Sequence, residues 1–209
     1  MKTINYIIPL GSNCFIASNL KRNNMKLTSY PFDWIFSYPN DIIDMIETNF
    51  EKILNKNFYL YKYLNINYNF HKEYCPELRM FNHYNPYKES DYEYIKRCIN
   101  RFNNVLKKKE NKLFIMMFTN NNVNNEIKNI IKLKHIIDKK TSEYDIICFF
   151  QEKRGYQDKK IINYLNIKLI QLSTIDDNNG VNFILDKDEE YFNTIINEFY
   201  KIELINDIK

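Results

Sequence analysis

The sequence predicts an α/β fold in three layers, a mostly parallel sheet of at least four strands flanked by helices. Three observations predict it. Leu113–Phe118 (LFIMMF) and Asp145–Phe150 (DIICFF) are almost wholly apolar runs of strand length, as expected of strands buried on both faces. Amphipathic stretches with helical spacing alternate with these runs, the pattern of parallel strands joined by crossover helices. A strand, a glycine turn and a helix open the chain in the same style.

Taken in order, Asn5–Leu10 reads as the first strand and Gly11-Ser12-Asn13 as its turn. Cys14–Arg22 reads as a helix, with Ser12 or Asn13 as candidate N-cap. Met25–Ser37 is expected to be an ordered loop. A helix over Asn40–Asn55 carries Ile42, Ile46, Phe50 and Ile53 on one face. Residues 58–89 are Tyr-rich and irregular, and read as a short hairpin, a lid or a peripheral insertion. Ser90-x-x-Glu93 has the form of a capping box opening the clearest helix. Its apolar stripe includes Ile95, Cys98, Phe102 and Leu106. After the strand at Leu113, the spacing predicts a helix over Val123–Ile137, the strand at Asp145 and a short helix near Lys159–Leu165. A strand at Ile167–Gln171 and a final amphipathic helix over Asp188–Ile202 complete the chain. With no linker or internal repeat, residues 1–209 read as a single domain.

At 44% hydrophobic and 27% charged, the chain can bury a substantial core. The abundance of Asn, Ile, Lys, Tyr and Phe follows A/T-rich codons, so runs such as Asn120–Asn125 carry no functional weight. A net charge of +4 without a basic stripe gives no sign of nucleic-acid binding. Lys107–Lys109 reads as a solvated helix end. The apolar start at Tyr6–Leu10 is too short to span a membrane, and no signal peptide is visible. The four cysteines form no metal-binding spacing, so no metal is expected, and with no signal peptide visible a reducing, cytoplasmic setting is expected, with no cofactor. Nucleotide-binding, zinc-protease and serine-hydrolase motifs are all missing. Asp176–Gly180 lacks the alternating ligands of a calcium loop and reads as a turn.

Cys14 is the most site-like residue. It lies past the carboxyl end of a strand, where ligands bind in open α/β sheets. It also opens a helix, whose N-terminus favours a thiolate. On that ground Cys14 is expected to alkylate faster than Cys98 or Cys148, which lie in apolar stretches. The turn N–H groups of Gly11, Ser12 and Asn13 are candidates for holding an oxyanion. The alternative is a small cysteine packed behind a strand. A nucleophilic cysteine needs a base. His135 reads as a helix-end surface residue, whereas His71 and His83 lie in the irregular region. Asp33, between Phe32 and Trp34, is a candidate third member of a triad. It reads equally as a helix cap or as a partner for Arg22 or Arg101. Trp34 suits either the core or a substrate platform.

Leu10-Gly11-Ser12-Asn13-Cys14 and Tyr30-Pro31-Phe32-Asp33-Trp34 resemble the opening of an uncharacterised family of papain-like cysteine peptidases. Phe81-Asn82-His83, Arg97 and Arg101, and Leu113-Phe114-Ile115 are similar to that family's later motifs. The resemblance covers about residues 5–175. It implies Cys14 as nucleophile, His83 as base and Asp33 as third member, with Trp34 and Arg101 on the substrate side. The chain departs from the family at Tyr84, where members carry an acid, and at Met116 and Met117, where they carry arginine. The resemblance also implies an α+β papain-like fold, in tension with the parallel sheet that the periodicity predicts.

Two functions follow. One is a peptidase or related thiol hydrolase or acyl transferase acting on a peptide, amide or small molecule. The other is a Rossmann-like transferase or ligand-binding protein, for example of the nucleotide-sugar class, in which Cys14 is incidental. Neither reading fixes an oligomeric state.

Overall fold

The computed structural model describes residues 1–62, 68–75, 80–118 and 123–206. Strands β1 (Lys2–Ile4) and β2 (Tyr6–Pro9) lead into helix α1 (Phe15–Arg22), followed by α2 (Pro39–Glu47) and α3 (Glu51–Leu54). A hairpin of β3 (Tyr59–Lys62) and β4 (Tyr68–His71) precedes α4 (Glu89–Leu106), β5 (Lys112–Phe118) and α5 (Val123–Asp138). The chain continues through β6 (Tyr144–Lys153), β7 (Asp158–Tyr164), β8 (Ile167–Thr174), α6 (Asp186–Phe199) and β9 (Tyr200–Ile202).

The main sheet has the order β2-β5-β6-β8-β7. Its first three pairings are parallel and the last is antiparallel. The mostly parallel sheet expected from the apolar runs is therefore the one observed, and it differs from the antiparallel sheet that a papain-like chain fold implies. Side chains of β5 alternate between two cores, as the period of two requires. Phe114, Met116 and Phe118 pack with α2, α4 and α5, while Leu113, Ile115 and Met117 pack with α1 and α6. Burial on both faces is why β5 reads as an unbroken apolar run.

Several boundaries differ from the expectation. The stretch expected as a helix over Lys159–Leu165 is instead strand β7 up to Tyr164, with Leu165 in the turn that follows. Lys159 and Ile161 are half-buried while Lys160 and Ile162 are exposed, a period of two. A helix this short is marginal, whereas pairing with β8 satisfies one edge of the backbone. The helix expected over Asn40–Asn55 breaks at Asn49 (φ 51°) and Phe50 (φ 63°). Phe50 leaves the helix to pack with Phe32 and Phe102, each ring centroid 5.7 Å away, and this burial offsets the left-handed backbone. The capping box at Ser90 does not form, because α4 starts at Glu89 and places Ser90 inside its first turn. Asp91 accepts a hydrogen bond from the Asn85 N–H at 2.8 Å instead. The three-residue strands β1 and β9 pair in parallel, so the final helix ends three residues early.

Within the irregular region, His71 is a structural residue. Its ring is stacked 4.4 Å from Tyr74 and 5.6 Å from Phe58. Nδ1 accepts the N–H groups of Glu73 and Tyr74 at 3.2 and 3.1 Å, which places the proton on Nε2, 3.3 Å from the Lys52 carbonyl. Burial lowers the His71 pKa from its ordinary 6.5. As pH falls, the unfolded chain therefore takes up this proton first. The stability that neutral His71 confers is present above pH ~6.5 and is lost as pH falls through its folded value. Thermal melting between pH 8 and 5 is expected to fall more steeply for the wild type than for His71→Gln. Parallel profiles would refute this.

Candidate active site

The Cys14 turn is fixed by its neighbours. The Leu10 N–H extends the pairing to β5 by donating to the Ile115 carbonyl at 2.9 Å. Gly11 has φ +84°, and a Cβ there would run into the Ser37 hydroxyl and lie 3.2 Å from the Ser37 carbonyl, so only glycine fits. The Ser12 hydroxyl donates to the Met117 carbonyl at 2.9 Å, and the Ser37 N–H donates to the Ser12 carbonyl at 3.1 Å. Neither Ser12 nor Asn13 takes the N-cap position, which falls on Cys14 and carries no side-chain cap bond; Asn13 Oδ1, one residue earlier, accepts the Phe15 N–H at 3.0 Å. Cys14 is the residue before α1, and its carbonyl accepts the Ser18 N–H at 2.9 Å. Thus Cys14 lies at the carboxyl end of β2 and the N-terminus of α1.

The Phe32-Asp33-Trp34 stretch forms the next wall. Asp33 is fully buried. Its Oδ2 accepts the Tyr30 N–H at 3.0 Å and pairs with the ammonium of Lys26, itself 5% exposed. Asp33 Oδ1 is buried with no hydrogen-bond partner among the described residues. The partner of Asp33 is thus Lys26, not the expected Arg22 or Arg101. The Phe36 N–H donates to the Met80 carbonyl at 3.0 Å, which brings residues 80–84 alongside. His83 packs edge-on to Trp34, ring centroids 5.4 Å apart. His83 is exposed and Trp34 half-buried. His71 has both ring nitrogens engaged, and His135 is a surface residue 3.9 Å from Asp138. His83 is therefore the one histidine packed against the Asp33–Trp34 segment.

A third wall comes from the far end of the chain. Phe183 packs edge-on to Phe15 at 4.7 Å, and Arg22 bridges from α1 to Asn182 and to Glu189 at 2.5 Å. Buried Asp188 accepts the N–H groups of Ile175 and Asp176 at 3.0 and 2.9 Å, fixing the loop that carries these contacts.

Electrostatics correct one expectation. Cys14 is only 3% exposed, and its pKa is pushed up to about 11. Burial is the main cause and the nearby Asp33 carboxylate the second, both outweighing the lowering effect of the residue's own backbone N–H on its sulfur. The helix terminus thus does not make Cys14 a standing thiolate. Burial raises the thiols of Cys75, Cys98 and Cys148 as well. Cys98 also accepts a hydrogen bond from Arg101 at 3.0 Å. Cys14 alkylation is expected to climb with pH toward a midpoint near 11, and Asp33→Asn, which removes a like charge, to move that midpoint down. An unchanged or higher midpoint in the folded variant would refute the coupling.

Arg101, on α4, donates to the Ser29 carbonyl at 2.9 Å and lines a cleft of about 420 Å³ with Lys21, Lys26, Trp34, Tyr84 and Tyr94. Among the described residues no group of three His, Cys, Asp or Glu side chains is placed to hold a metal. Nor is any helix there long and apolar enough to cross a membrane.

A profile of the family described as "Putative papain-like cysteine peptidase (DUF1796)" matches residues 5–151. The chain belongs to this family. Neither a curated protein nor a solved structure matches it. The papain-like family match runs from β2 into β6 and so contains Cys14, Asp33, His83 and Arg101. The strands β7 and β8, helix α6 and the loop that buttresses α1 lie outside the family segment.

Proposed function

We propose that this family member is a thiol hydrolase or acyl transferase, with Cys14 as nucleophile and His83 as base. One observation carries the reading. Cys14 opens α1 after a glycine turn, with its own backbone N–H directed at the sulfur and the Asp33 carboxylate near enough to act on it, and Trp34, next to Asp33, packs against His83.

The raised pKa of Cys14 dictates the order of events. A thiol held near 11 is protonated at neutral pH, so its proton must leave as the sulfur attacks. Sγ bonds to the substrate carbonyl carbon while the S–H proton passes to the His83 imidazole. The carbonyl π-bond opens to an oxyanion, held by the Cys14 N–H and the turn backbone. The side chains of Ser12 and Asn13 are already committed to Met117 and Phe15, so backbone donors carry this role. As the tetrahedral species collapses, the bond to the leaving group breaks and protonated His83 returns the proton to it. Water or a second acceptor then releases the thioester. Asp33 serves here as an anchor: its hydrogen bonds run to Lys26, Ser29 and Tyr30, none of them a histidine. Trp34 offers a face for the substrate beside His83.

The test is labelling with an acylating thiol probe, read by intact mass. Modification is expected on Cys14 and absent from Cys14→Ala. A probe that labels both proteins alike, or neither, would favour the Rossmann-like alternative, in which the Gly11 turn approaches a ligand and Cys14 takes no part.

A further inference from the structure

The cleft beside this site has a composition that thiol chemistry does not require. It is lined by three cations, Lys21, Lys26 and Arg101, by three aromatics, Trp34, Tyr84 and Tyr94, and by the hydroxyl residues Thr28 and Ser29. No carboxylate lines it. Lys26 is neutralised from behind by Asp33. Among the described residues Lys21 and Arg101 pair with no acid, and Arg101 is half-buried. A half-buried guanidinium without a counter-charge is costly, and a fixed anion would offset that cost.

We propose that this cleft binds the phosphoryl group of a small molecule whose organic part lies against the aromatic walls. The charge of the lining favours a phosphoryl group over a carboxylate. Arg101 is held in place by its bonds to the Ser29 carbonyl and to Cys98 Sγ, at 2.9 and 3.0 Å. Two uncompensated cations, Lys21 and Arg101, match a dianion, whose tetrahedral oxygens accept donors arriving from different directions. The aromatic side is built as a wall. Tyr84 and Tyr94 lie 4.8 Å apart, and the guanidinium of Arg101 sits 6.0 Å over the Tyr94 ring. The volume, about 420 Å³, is that of a small-molecule site. Trp34 belongs both to this cleft and to the contact with His83, which turns the organic part of the ligand toward the reacting end. The inference rests on the thiol-enzyme reading for what the phosphoryl group is attached to, but its test does not.

Trp34 is the single tryptophan in the chain, so all tryptophan emission comes from a residue that lines this cleft. The Cys14→Ala protein is titrated with phenyl phosphate, inorganic phosphate and benzoate at constant ionic strength. A saturable change is expected with both phosphates, phenyl phosphate binding more tightly, and none with benzoate over the same range. Lys21→Gln and Arg101→Gln should each weaken phenyl phosphate about tenfold or more. Lys21 is exposed, so its variant tests the site even if Arg101→Gln perturbs folding. Three results would overturn the proposal: no saturable change, benzoate binding as well as phenyl phosphate, or undiminished affinity in Lys21→Gln. Because the titration uses protein without the Cys14 thiol, a failed labelling experiment leaves its outcome intact, and the reverse holds.

Discussion

Replacing His83 with alanine is expected to slow acylation of Cys14 at neutral pH by about 10²–10⁴-fold, the usual contribution of a positioned base. The size follows from the state of the thiol. A cysteine already ionised would lose little with its base, but one pushed up to about 11 depends on proton removal during attack. His83 is exposed, so added imidazole can enter the space left by the truncated side chain and is expected to restore part of the rate. A lost structural contact would show no such rescue. Raising the pH toward the thiol's own pKa should narrow the gap between variant and wild type, because solvent then removes the proton unaided. A His83→Ala enzyme that acylates at the wild-type rate at pH 7 would remove His83 from the mechanism.

Lys26→Met is expected to be among the most destabilising single changes near the site, at about 3–5 kcal/mol, because it strips the counter-charge from a buried carboxylate. Asp33 has no exposure and the Lys26 side chain only 5%, so the carboxylate relies on this ammonium for its counter-charge. Burial already raises the Asp33 carboxyl, and Lys26 is the leading influence that pulls it back. Without Lys26 the carboxyl takes a proton more readily, so the deficit should shrink as pH falls. Adding Asp33→Asn to Lys26→Met removes the stranded charge and should recover much of the loss. Urea unfolding of the two single variants and the double variant measures this coupling. Additive losses would mean that the pair is not coupled.

The layers of the fold were legible because burial on both faces leaves a continuous apolar signature. Leu113–Phe118 shows it in sequence and again as alternate contacts with the two cores. An edge strand carries no such signature, so Lys159–Leu165, with its lysines and exposed isoleucine, reads as a helix although Asp158–Tyr164 is strand. The break at Phe50 was hidden for a similar reason. Its spacing fits a helical face, and only the Phe32 and Phe102 rings reveal why the backbone turns left-handed. At the site, Gly11 and Cys14 were readable because a strand end, a glycine and a helix start are local events. The Lys26–Asp33 pair was not, since many lysines lie within reach of such a loop and sequence spacing does not select among them. The role of His71 had a signal that went unused: Tyr74 follows three positions later and Phe58 comes before it, in a Tyr-rich stretch suited to stacking.

The partner of β2 has a consequence for the order in which the molecule is made. Tyr6 pairs with Lys112 and the Ser12 hydroxyl is tethered to the Met117 carbonyl, so no segment made before β5 can hold the cysteine turn in the sheet. Closing a loop of this length must precede any return from its contacts, which puts the assembly of the turn late in folding. Until then Cys14 is a solvent-facing thiol whose pKa burial has not yet raised, ionising more readily than it does once buried. The sulfur is thus most open to oxidants while the chain emerges or refolds, and the finished fold then shields it. Recovery of reactive protein from denaturant should accordingly depend on a reductant present during refolding, more than on one added afterwards.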